Sequence, residues 1–196
     1  MADHNQLFSN MRGAALAWLA DYTPEDICRR ANVSFDGKYF HMTSLGQDIA
    51  ISYPDYQFYP ELHHWHTLTI LHYLSSADGS PLSGDLISFS QHKDGLIRGS
   101  GFDRKAEQII QDKLGLLSYD ELIRRIQQLG GEQLPDHADL FVQFSYLPNY
   151  PVYLKIWQAD DEFPASGRMF LDASAEHYLT IEDAVTIGEL ILKKLC

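Results

Sequence analysis

Hydrophobic positions along this chain recur first with a helical period, then with a period of two, and finally with both in alternation. From Asp3 to about Asp21, Leu7, Met11, Ala14, Ala15, Trp18 and Leu19 fall at three- and four-residue steps, which predicts a helix with one apolar face. A second helix is expected from Thr23 to near Asn32: Thr23 can cap it, Pro24 suits its first position, and Glu25 and Asp26 favour the positive end of its dipole. The period then shortens. Val33–Phe35 and Tyr39–Met42 flank Asp36-Gly37, a hairpin signal, and Asp48–Tyr53 alternates as a third strand closed by Pro54. Tyr56–Tyr59 reads as a short strand that Pro60 ends.

Between Pro60 and Ala77 the apolar positions Trp65, Leu68, Ile70, Leu71, Tyr73 and Leu74 spread round the whole helical circumference, which predicts a buried central helix. The stretch 78–84 is a loop by composition, Leu86–Phe89 is a short strand or a helical turn, and Gly95, Gly99 and Gly101 predict irregular backbone. Helices follow over 103–114 and 118–129, the second opened by the capping pair Ser118 and Glu121 and stopped by Gly130-Gly131. Leu140–Leu147 and Val152–Trp157 alternate on either side of a four-residue connection and are expected to pair antiparallel, with Arg168–Asp172 as a further strand. Thr180 then caps a final helix whose stripe is Ile181, Ala184, Val185, Gly188, Ile191, Leu192 and Leu195. The pattern is that of one α+β domain over 1–196: a helical segment, 1–32, and a body, 33–196, of mostly antiparallel sheet against a buried central helix and flanking helices.

Composition narrows the partners more than the fold. A net charge of -12 repels phosphate backbones and anionic membranes, which argues against nucleic acid and membrane partners. Two cysteines, Cys28 and Cys196, make neither a disulfide framework nor a metal-binding spacing, and the N-terminus has no signal-peptide layout, so a cytoplasmic location is expected.

Most chemical motifs fail on inspection. Gly79 and Gly84 have phosphate-loop spacing, but Asp85 and Leu86 stand where Lys and Ser or Thr are needed, and an acid there repels phosphate. Asp160–Asp172 has the acidity of a calcium loop, yet Pro164 occupies a ligand position and Ala165 the place of the turn glycine. Four histidines, His63, His64, His66 and His72, cannot converge from one helix; His63 and His66 are the pair that can share a metal, and no third ligand accompanies them. The acids Asp160, Asp161 and Glu162 remain. Three adjacent carboxylates repel one another and need solvent, a basic neighbour such as Arg168, or a cation. With Phe163, Asp172, His177 and Glu182 they form the candidate ligand-binding set, suited to a hard cation or a cationic ligand.

Within Trp157–Asp183, the blocks Asp161-Glu162-Phe163-Pro164, Phe170-Leu171-Asp172, Tyr178-Leu179-Thr180 and Glu182-Asp183 resemble the domain-of-unknown-function family three-seven-eight-six. Leu71-His72-Tyr73-Leu74, Pro81-Leu82-Ser83-Gly84 and Ile87-Ser88-Phe89 fit the same pattern upstream, so the resemblance runs from about residue 65 to the C-terminus. It implies a stand-alone cytoplasmic protein of anaerobic bacteria or archaea, in a redox or one-carbon setting. Some relatives add an iron–sulfur domain whose cysteines this chain lacks, and Leu86 replaces an aromatic residue of the pattern. It implies no activity or cofactor.

Three functions are then in play. The first is a binding or accessory module for a protein or small molecule, using the acidic and aromatic surface over 160–177. The second is a metal-dependent enzyme with carboxylates from 160–183. The third gives the acidic block a purely structural duty.

Overall fold

The computed structural model describes residues 2–196. In chain order the elements are α1 (Ala2–Leu19), α2 (Pro24–Ala31), β1 (Ser34–Phe35), β2 (Tyr39–Ser44), β3 (Gln47–Ser52), β4 (Phe58–Tyr59) and α3 (His64–Ser76). They continue with β5 (Leu86–Ile87), α4 (Gly95–Asp112), α5 (Tyr119–Gln128), β6 (Gly131–Gln133), β7 (Leu140–Leu147), β8 (Tyr150–Trp157), β9 (Ser166–Asp172) and α6 (Ile181–Leu195). Short 3-10 turns lie at 89–91, 114–116 and 173–177. The fold is α+β with two antiparallel sheets, ordered β1-β2-β3-β4 and β5-β9-β8-β7-β6. A backbone bond from Leu45 N to Ser145 O (3.0 Å) ties the first sheet to the second.

The core forms where the sequence is apolar on every side. Leu68, Ile70, Leu71, Tyr73 and Leu74 of α3 are buried, as are Val142, Phe144 and Tyr146 of β7 and Val152, Leu154 and Ile156 of β8. The stripe of α6 seals the same core, and Thr180 starts that helix by accepting from Asp183 N while the Asp183 carboxylate reaches back. Each fully buried aliphatic side chain contributes about 1.5–3 kcal/mol, so these elements carry most of the stabilisation.

Three expectations change against the structure. In α1, Ala15 and Leu19 are buried while Leu7 and Trp18 are 52% and 63% exposed, so the helix, which packs against α3, buries only two of its six predicted apolar positions. Gly95 and Gly99 are not irregular backbone but the first turns of α4. A Cβ at either would stand 2.2 or 2.1 Å from Phe89 O, so glycine is there for close approach, not for a break. Leu86–Phe89 is both things at once, with β5 pairing to β9 and Phe89 opening a 3-10 turn.

Candidate functional site

The hairpin β8–β9 carries the acidic block at its tip and Asp172 at its far end. Pairing runs from Trp157 with Ser166 to Val152 with Leu171. Six strand steps, about 20 Å, therefore separate the tip from Asp172. The predicted residues 160–163 are thus set apart from Asp172.

At the tip, Asp160 closes the turn on itself. Its Oδ1 accepts from Glu162 N (2.9 Å) and Phe163 N (2.7 Å), and its own N donates to Phe163 O (3.0 Å). Those two amides hold its carboxyl below the ordinary range. The neighbouring Asp161 and Glu162 are exposed and make no ion pair among the described residues. Arg168, the expected basic neighbour, turns instead to Glu107 of α4 at 2.7 Å. Phe163 is 66% exposed, and the turn 114–116 adds Leu116, 80% exposed. That turn is pressed against the hairpin: a Cβ on Gly115 would lie 2.2 Å from Ala165 Cβ. Beside the tip, Trp157, Arg168 and Phe170 with Glu107 and Gln111 line a groove of about 470 Å³.

At the far end Asp172 is 2% exposed and fully engaged. It accepts from Ser83 N (2.9 Å), Ser83 Oγ (2.8 Å), Gly84 N (2.8 Å) and Ser174 N (2.9 Å). Burial alone would raise its pKa, but the bonds from Ser174 and Ser83 outweigh it and hold the carboxyl at about 2. The loop 78–84 is fastened here a second time, because Tyr178 OH donates to Ser80 O and His177 Nδ1 sits 2.9 Å from Asp78 Oδ2. His177 also borders a cleft of about 230 Å³ together with Ser76, His92, Glu176 and Thr180.

Glu182, in the first turn of α6, pairs with Arg98 of α4 at 2.9 Å. One residue on, Asp183 bridges two elements: its Oδ2 accepts from Thr180 Oγ1 (2.7 Å) and its Oδ1 from His72 Nδ1 of α3 (2.6 Å). His72 and Asp183 therefore meet where sequence reasoning treated them separately. His66 is buried, its Nε2 2.8 Å from Ser44 Oγ, and burial pushes its pKa down to about 4. His63 lies outside, stacked on His64 with ring centres 4.2 Å apart. Among the described residues, no three His, Cys, Asp or Glu side chains converge as metal donors.

Sequence reasoning missed Leu116, the cleft around His92 and the pairing of His72 with Asp183. Each depends on residues tens of positions apart, and no local spacing announces them.

The family model described as Domain of unknown function (DUF3786) matches residues 23–194, so the chain belongs to that family. No curated protein and no solved structure matches it. No helix among the described residues is long and apolar enough to cross a membrane.

Proposed function

We propose that this member of the DUF3786 family is a cytoplasmic binding or accessory protein of anaerobic metabolism that docks a basic, apolar-anchored polypeptide segment on the tip of its β8–β9 hairpin. The observation that carries the reading is Phe163, 66% exposed, on a braced turn whose Asp161 and Glu162 are also exposed, with Leu116, 80% exposed, on the turn 114–116 that packs against the same hairpin. Apolar anchors within a charged rim are the anatomy of a docking surface: the anchor supplies affinity, and the rim selects and orients the partner. Because Asp160 and the Gly115–Ala165 contact hold the turn, binding costs little ordering of the backbone. The free thiols of Cys28 and Cys196 suit a reducing compartment.

The test is photo-crosslinking in an anaerobic native extract, with a photoreactive phenylalanine analogue at position 163 and, as control, at Ile97, which is still more exposed. The expected result is a discrete crosslinked protein from position 163, captured through a Lys- or Arg-rich segment. It disappears in the Asp161→Asn/Glu162→Gln variant and at high salt. Crosslinking from position 163 no better than from position 97, or unaltered by the double substitution, overturns the reading.

A further inference from the structure

Helices α4 and α6 run parallel. Arg98 with Glu182 (2.9 Å) and Lys105 with Glu189 (2.7 Å) are two rungs seven residues apart on both helices. Between them Phe102 packs onto Gly188, where a Cβ would stand 2.3 Å from the ring. Parallel helices end together, and here they end around a groove of about 460 Å³. Half-buried Ile109 presents apolar surface to it over the buried Leu192, its basic rim comes from Lys113 and Lys193, and Cys196 lies at its margin. The volume falls in the range of small-molecule clefts, about 300–1,000 Å³.

Lysines near helix C-termini commonly offset the helix dipole. In α6 that role is already taken, since Arg125 Nη1 donates to Leu195 O (2.7 Å) and Cys196 O (2.8 Å). The one acid bordering the groove, Glu189, is engaged by Lys105. Lys113 and Lys193 make no ion pair among the described residues. A chain of net charge -12 thus gathers unneutralised cations over an apolar floor, from helix ends some 80 residues apart in sequence. Its overall charge does not cancel them, because screening at physiological salt confines exposed charges to about 8 Å. Burial pushes the Cys196 thiol pKa up, against a smaller opposite pull from Lys113 and Arg125.

We propose that this groove binds an amphipathic organic anion, with Lys113 and Lys193 holding a carboxylate or phosphate head and the apolar side of the groove at Ile109 taking its apolar body. Neither a bare anion nor a neutral amphiphile satisfies both surfaces. The site is independent of the hairpin tip.

Alkylation of Cys196 by iodoacetamide, followed at the peptide level by mass spectrometry, reads occupancy directly. Octanoate and octyl phosphate, below their micellar concentrations, are expected to slow alkylation saturably, and their relative potency identifies the preferred head. Inorganic phosphate and octanol are expected to protect at least about tenfold less well, since each lacks one of the two contacts. Lys113→Gln/Lys193→Gln should weaken protection by about tenfold or more, with Lys38→Gln, on the distant β2 hairpin, as the unchanged control. No protection by either amphiphile, equal protection by octanol or inorganic phosphate, or undiminished protection in a folded double variant overturns the proposal. The wild-type comparison of the four compounds decides the matter even if the variant fails to fold.

Discussion

The two ends of β9 hold carboxylates of the same chemistry in opposite circumstances. Asp172 is sealed from water and accepts four hydrogen bonds, while Asp161 and Glu162 are exposed and make no ion pair among the described residues. The difference lies in the donors the fold delivers. Loop 78–84 presents two backbone amides and a hydroxyl to Asp172, whereas Lys155 and Arg168, the cations flanking the tip in sequence, are drawn off by Asp136 and Glu107. A buried carboxylate with its full set of donors is a structural bolt; exposed carboxylates beside Phe163 are free to meet something else.

Removing the bolt sharpens the contrast most. Asp172→Ala strands the amides of Ser83, Gly84 and Ser174, and the expected loss is about 3 kcal/mol in urea unfolding at neutral pH. The folded pKa lies at about 2, below the ordinary 3.8, so this stabilisation is complete above about pH 4 and drains away as pH falls towards 2. The gap between wild type and variant should therefore narrow over that interval; a gap independent of pH breaks the account. A smaller effect, about 1–2 kcal/mol, is expected for Gly115→Ala, whose methyl collides with Ala165. Hydrogen exchange should then quicken at Phe163 N–H, which the tip turn protects, and leave Ser174 N–H unchanged. The smallest effect belongs to Asp161→Asn/Glu162→Gln, which should move the thermal midpoint by less than about 2 °C. A larger destabilisation would mean that the tip acids are structural after all.

How far the sequence could be read follows the range of the forces involved. Capping at Thr23, Ser118 and Thr180 and the stripe of α6 were legible, because a cap and a helical face are decided within a few residues. α1 was half legible: its apolar positions are visible, but contact with α3 decides that Ala15 and Leu19 go inside while Leu7 and Trp18 stay out. Gly95 and Gly99 misled because a glycine reads locally as a break, whereas Phe89 O lies against them across a turn of the chain. The acids of the candidate site were plain in the sequence, but their duties were not. Asp172 draws donors from Ser83 and Gly84, Asp183 meets His72, and the distribution of those donors decides which acids remain unused.

The bond from Gly84 N to Asp172 and the pairing of Leu86 with the same residue have a consequence for the order in which the molecule can be completed. On a ribosome, strand β5 and the loop before it emerge long before the residue that fastens them. At about 5–20 residues per second, the wait is roughly 5–15 seconds. Throughout it Leu86 and Ile87 are without the strand they pair with, and the sheet gains its final margin only when β9 lies between β5 and β8. The last third of the chain is therefore a closing piece, and a protein truncated before Asp172 is left with its sheet unfinished and its first long loop untied.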